Sequence, residues 1–223
     1  MAGIDAFNYR IFSATQKSII MKITIELLNS ENTVAVDNVS IGKLIESSGR
    51  QQLWEERRGA VIDVVVIHYT SAAALSPADP FNRELVLKLF CDYGVSSHYL
   101  IDREGGVSLL VPEDMKAWHA GGSIMPEPDN RQAVNDFSIG IELMATATSG
   151  FTPPQYRSLV RLCAGIEQRY GRKFLYVGHD QIAGDRAVSR GLRKEKKVDP
   201  GRLFDWDDFS RQLEGERNVE RVA

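Results

Sequence analysis

"VVVIHYT", residues 64–70, is an apolar, largely β-branched run that stops at a histidine. With Val61 and Ile62 ahead of it, "VIDVVVI" fits a strand covered on both faces better than a helix of that length. β-branched side chains lose rotamer freedom in a helix and pack well on a pleated surface. The run predicts a strand in the middle of a sheet. It leaves His68 as a titratable ring where the rigidity of the sheet ends and the access of a loop begins.

Outward from this strand the text divides into short elements. Upstream, "KITIEL" (22–27) alternates as a strand does, and "VSIGKLIESSGRQQLWEERRG" reads as a short helix followed by a charged connector. Downstream, "NRELVLKLFCDYG" places Leu85, Leu89 and Phe90 at helical spacing and ends on Gly94, a left-handed stop. "SHYLI" and "VSLLV" flank the turn residues "DREGG" and predict a hairpin. In "FSIGIELM", Phe137, Ile139, Ile141 and Leu143 are expected to face one way and Gly140 and Glu142 the other. "TPPQYRSLVRLCAGIEQRYG" carries a complete set of helix signals. Thr152 is the N-cap, Pro153 the first helical residue and Gln155 the closing residue of a capping box. Tyr156, Leu159, Val160, Cys163 and Ile166 form a buried stripe, and Gly171 is the stop. A last strand, "KFLYV", leads into "GHD", and "FDWDDFSRQL" reads as a short closing helix. This order predicts an α/β (α+β) domain with a central mixed β-sheet and helices packed on it.

The 223 residues fit one domain with an appendage, and 43% hydrophobic residues can supply its core. A formal charge of -3 gives no concentrated basic footprint, so no nucleic-acid partner is expected. No segment is apolar for long enough to span a bilayer. Residues 1–28 carry Asp5 and scattered polar residues where a secretory leader needs an unbroken apolar centre, so a cytoplasmic location is expected. Cys91 and Cys163 both fall in helical patterns and read as core thiols rather than as a disulfide or a nucleophile.

Three places bear chemistry. His179 follows "FLYVG" just as His68 follows "VVVI". Either ring alone is more often a satisfied structural histidine, but two in one domain put a metal site or catalytic base on an equal footing. In "KKVDPG", the residue before proline is driven out of the helical region, so Asp199 should be extended with Lys197 on the same side. Two histidines and one carboxylate with an open position for water are a normal donor set for catalytic zinc. Glu142 is then a candidate base and Lys197 a candidate cation for a developing oxyanion. The plainer alternatives are an exposed strand residue and a charged turn.

In order, "VVIHYT", "SSHYLIDREG", "AWHAGGS", "NDFSIGIEL", "GHDQIA" and "KVDPGRLFDW" resemble the zinc-dependent N-acetylmuramoyl-L-alanine amidases of the AmpD type. That fold is shared with phage lysozyme-like amidases and animal peptidoglycan recognition proteins. The resemblance covers roughly residues 60–210. It implies one zinc ion per chain on His68, His179 and Asp199, with Glu142 as general base and Lys197 as the oxyanion-side cation. It also implies a groove lined by Trp118, His119 and Asn135 that receives glycan and peptide, and a structural rather than ligating His98. The implied reaction hydrolyses the amide between N-acetylmuramic acid, in its 1,6-anhydro or intact form, and L-alanine of peptidoglycan or muropeptides. A non-catalytic peptidoglycan-recognition module is the alternative, and such modules lack part of the ligand set that is complete here. A phage endolysin released to the cell wall is the alternative to a cytoplasmic recycling enzyme.

The stretch between His179 and Asp199 is longer and more basic than is usual in that family. Arg186, Arg190, Arg193, Lys194, Lys196 and Lys197 form either a solvated loop, the preferred reading, or an anion-attracting rim, and Lys194 or Lys196 can stand in for Lys197. The expected organisation is an N-terminal extension or subdomain over 1–55, a zinc amidase domain over 56–213 and a tail over 214–223. For residues 1–55, an added strand and helix, substrate recognition and self-association all stay open. So does the oligomeric state.

Overall fold

The computed structural model describes residues 8–9 and 21–221, with side chains over 21–218. Most of the N-terminal stretch read above as lacking a leader's apolar centre lies outside the described residues. The elements in chain order are β1 (Asn8–Tyr9), β2 (Met21–Ile25), β3 (Ala35–Val36), β4 (Val39–Ser40), α1 (Ile41–Ser47), β5 (Trp54–Glu56), β6 (Val64–Thr70), α2 (Arg83–Tyr93), β7 (Tyr99–Ile101), β8 (Val107–Leu109), β9 (Met115–Ala117), a 3-10 turn (Val134–Asp136), β10 (Ser138–Met144), α3 (Pro153–Tyr170), β11 (Leu175–Gly178), α4 (His179–Ile182), α5 (Asp185–Ser189) and α6 (Trp206–Arg221).

The central sheet runs β1-β2-β8-β7-β10-β6-β11. Strands β7, β10, β6 and β11 are mutually parallel, β8 is antiparallel to β7, and β2 is parallel to β8. The sheet is therefore mixed, as its connections predicted. Strand β6 has a neighbour on each edge and both faces covered. Val65 and Ile67 join the cluster under α3 and α6, while Val64 and Val66 pack with Val134, Phe137 and Val177 on the other face. By alternation His68 continues the second face, opposite α3.

Helix α3 forms as its signals dictate. Thr152 accepts from the Gln155 backbone N–H, the Gln155 side chain returns the bond, and Gly171 closes the helix at φ 62°. Its stripe from Tyr156 to Ile166 is buried together with Phe204, Phe209 and Leu213. Helix α2 ends at Gly94, φ 61°, as expected, but its buried residues are Val86, Leu87, Phe90 and Cys91. Leu85 and Leu89 are only half-buried.

Three further expectations change. Phe137 does not share the face of Ile139, Ile141 and Leu143. It caps the 3-10 turn with ψ 17°, so the extended alternation starts only at Ser138. The charged connector contains β5, which pairs with β9 and is held by partners distant in sequence. The closing helix α6 is longer than "FDWDDFSRQL" and runs to Arg221. Cys91 and Cys163 are free and buried, and burial pushes the Cys91 thiol up to about 11. No helix among the described residues is long and apolar enough to cross a membrane.

Candidate metal centre and active site

Open parallel sheets place sites outside the carboxyl ends of their strands, because loops leave the sheet there. His68 lies near the carboxyl end of β6, His179 begins α4 directly after β11, and Glu142 lies near the carboxyl end of β10. Asp199 arrives from the long loop. Its backbone carbonyl accepts from the Asp180 N–H at 2.7 Å, which fastens it to the helix that carries His179.

Three atoms converge. His68 Nδ1 is 3.0 Å from His179 Nδ1, and each lies 3.1 Å from Asp199 Oδ2. The surrounding hydrogen bonds decide which ring nitrogens carry protons. The Ser138 hydroxyl donates to the Val134 carbonyl at 2.6 Å, so its oxygen accepts from His119 Nε2 at 3.2 Å. His119 Nδ1 is then unprotonated and accepts from His68 Nε2 at 3.0 Å. His179 Nε2 donates to the Ala120 carbonyl at 3.4 Å. Both Nδ1 atoms therefore present lone pairs to a carboxylate oxygen, and three lone pairs at this spacing repel unless a cation sits among them.

A proton on His68 is a poor candidate for that cation. Burial first, and then His179, push His68 down to about 4. Two imidazoles and one carboxylate within mutual reach form a group suited to a divalent metal of the zinc type. The backing of His68 by His119 and Ser138 is the outer support that metal-bound histidines use.

Glu142 is the register partner of His68. Its Oε2 is buried without a hydrogen-bond partner among the described residues. Burial, and next the Asp199 charge, hold the carboxyl well above its ordinary range, with Lys197 pulling the other way. A cation held by its neighbours would draw it down. Glu142, Lys197, the three cluster residues, Trp118 and His119 line one cavity of about 320 Å³, whose other wall includes Leu89, Tyr93 and Val95. Lys197 and Asp199 thus share the cavity expected of them.

The predicted groove residues divide their work. Trp118 is a half-buried wall residue. His119 touches the cavity with only 9% of its surface exposed and buttresses His68. Asn135 lines a side chamber, but its Oδ1 is occupied by the backbone N–H groups of His119 and Ala120 at 3.2 and 2.8 Å. His98 lies apart from the cluster. Its Nδ1 accepts from Gly140 N–H at 2.9 Å, and its Nε2 is 3.1 Å from the Met115 carbonyl.

Residue-by-residue reading missed Ser138, although strand alternation puts it on the face of Gly140 and Glu142. It also missed Arg57, a half-buried residue whose guanidinium donates to the carbonyls of Glu113, Asn135, Asp136 and Ser138. Burial pushes Arg57 down to about 10. No local pattern signals it, since every acceptor lies more than 50 residues away.

The fold and donor set define a class: a mixed-sheet domain with a His–His–carboxylate cluster and an orphaned carboxyl at the ends of parallel strands. Residues 58–202 match the family of N-acetylmuramoyl-L-alanine amidases, so the chain belongs to that family. The 1,6-anhydro-N-acetylmuramyl-L-alanine amidase AmpD of Citrobacter freundii is 39% identical over 115 residues, covering 52% of this chain and 55% of that protein. The chain thus spans about half the length of the curated relatives it matches. A crystal structure of a selenomethionine AmpD derivative superposes with TM-score 0.56 at 32% identity, over 72% of this chain and 89% of that one. The N-acetylmuramyl-L-alanine amidase AmiD of Escherichia coli, in complex with anhydro-N-acetylmuramic acid-L-Ala-D-gamma-Glu-L-Lys, gives TM-score 0.51 at 34% identity over 71% of this chain and 60% of that one.

Proposed function

We propose that this protein is a zinc-dependent amidase that cleaves the bond between the lactyl group of N-acetylmuramic acid and L-alanine in muropeptides. The observation that carries this reading is the convergence of His68 Nδ1, His179 Nδ1 and Asp199 Oδ2 beside the unpartnered Oε2 of Glu142. A zinc ion on those three residues would supply Lewis acidity toward the scissile carbonyl and lower the pKa of water from 15.7 to about 7.

The other steps belong to side chains. Glu142 takes the proton of the attacking water and returns it to the departing alanine nitrogen, a task for which an unpartnered oxygen with an upward-shifted carboxyl is suited. Lys197, on the wall of the same cavity, stabilises negative charge that develops on the carbonyl oxygen. The apolar wall that includes Leu89 and Tyr93 orients the sugar. The likeness to AmiD, whose complex holds an anhydromuramoyl tripeptide, supports a muropeptide as substrate.

The test is mass spectrometry of products from soluble anhydromuropeptides and from intact peptidoglycan, each with protein as isolated, after chelation and after zinc is restored. Release of a peptide beginning with L-alanine, lost with chelator and regained with zinc, is the expected result. No release by folded, zinc-loaded protein would overturn the reaction and leave the recognition module.

A further inference from the structure

The loop between His179 and Asp199 is seated firmly against the site. A Cβ on Gly122 would stand 1.9 Å from the Leu192 carbonyl oxygen, so the loop backbone rests directly on the glycine corner that follows His119 and Ala120. Leu192 N–H donates to the Ala187 carbonyl at 3.0 Å, and Lys197 N–H to the Ala183 carbonyl at 2.9 Å. This seating carries Arg193 into a side chamber of about 290 Å³, which it lines with Trp118, His119, Asn135, His179 and Lys197.

Arg193 Nε is satisfied by the Glu195 carbonyl at 2.5 Å. Its Nη1 is buried and has no hydrogen-bond partner among the described residues. A buried charged donor without an acceptor is strongly disfavoured, and a ligand oxygen relieves it. Lys197, on the same chamber, makes no ion pair among the described residues. Two other loop cations are already engaged: Arg186 donates to the Met125 carbonyl at 2.6 Å, and Lys196 pairs with Asp185 at 3.1 Å. The chamber therefore offers two cations, one with an unpartnered guanidinium donor, which is the chemistry that binds a carboxylate.

We propose that Arg193 binds a free carboxylate on the peptide side of the substrate, an inference that rests on the amidase reading. The muramoyl side is uncharged at the scissile bond, because its lactyl carboxyl is consumed in the amide. In a stem peptide that continues through D-γ-glutamate, the γ-linkage leaves the α-carboxylate free one residue beyond alanine. Charge thus sorts the two arms, with the peptide toward Arg193 and the sugar toward the wall formed by Leu89 and Tyr93.

The experiment compares kcat/KM for two soluble anhydromuropeptides that differ only in whether the D-γ-glutamate α-carboxylate is free or converted to its primary amide. Wild-type protein should favour the acid about tenfold, the scale of one charged hydrogen bond. In Arg193→Ala the acid-to-amide ratio should fall toward one through KM, and Arg193→Lys should restore part of it. Zinc content and thermal unfolding show whether each variant is folded and loaded. A wild-type ratio of one, or a ratio untouched in Arg193→Ala, overturns the inference. So does a ratio that collapses instead in Arg202→Ala, a residue that lines a neighbouring cavity without Arg193. Failure of the wild type to cleave either substrate overturns the amidase reading and this inference with it, whereas cleavage of both without preference overturns the inference alone.

Discussion

His68 and Glu142 are direct register partners on the adjacent parallel strands β6 and β10. One member of the metal-type cluster and the acid–base candidate are therefore fixed at one level of one sheet, and α4 and the long loop bring His179 and Asp199 to them. Glu142→Gln should keep bound zinc and lower turnover by at least about 100-fold, within the range for a positioned proton donor or acceptor. His68→Ala should lose both metal and turnover. Elemental analysis of dialysed protein beside product assays separates the two, and zinc loss in Glu142→Gln would place that carboxyl among the ligands.

The chain Val134 carbonyl, Ser138, His119, His68 predicts that metal affinity depends on a hydroxyl that touches no metal. Ser138→Ala frees His119 to change tautomer and should weaken zinc binding about 10-fold to 100-fold, with Ser138→Thr recovering part of it. Competition against a chromophoric chelator measures this directly. Equal affinities for wild type and Ser138→Ala would remove the relay from the account.

Gly140 is where β10 makes room for that relay, since a Cβ there would fall 2.5 Å from His119 Cγ. Gly140→Ala must displace the ring and should cost about 1–3 kcal/mol of stability in urea unfolding, as overpacked cores do. Zinc affinity should fall with it. A variant as stable as wild type would show that the ring has space to move.

Acidification should destabilise the metal-free protein. Burial, then Arg57, lower His98 to about 3, and burial, then His179, lower His68 to about 4. Below about 6.5 the unfolded chain binds protons that the folded chain refuses, so stability rises with pH there. The contribution is complete above about pH 6.5 and is lost as pH falls toward the folded-state values, by up to about 1.4 kcal/mol per pH unit for each ring. Denaturant unfolding at several pH values reads the slope. His98→Asn, which keeps an oxygen for the Gly140 N–H, should flatten it by one ring's share, and an unchanged slope would mean that His98 titrates as if exposed.

Local signals were strong where one segment settles its own conformation. Helix α3 needed only Thr152, the two prolines, Gln155 and Gly171, and β6 needed only its β-branched run. Phe137 and β5 were misread because their conformations answer to remote partners: a 3-10 turn pinned through Arg57 and a strand paired with β9. Such partners leave no period in the local sequence.

By itself the sequence determined the mixed sheet, the helices on it and the identity of the residues that gather at its edge, since strand ends, caps and donor types are properties of single segments. Only the tertiary structure decided that His119 stands behind His68 instead of simply facing substrate, that Asn135 spends its oxygen on backbone N–H groups, and that the basic loop delivers Arg193 to the site. Proton placement on a ring and the satisfaction of a buried donor depend on atoms brought together from distant parts of the chain, and packing alone fixes which atoms those are.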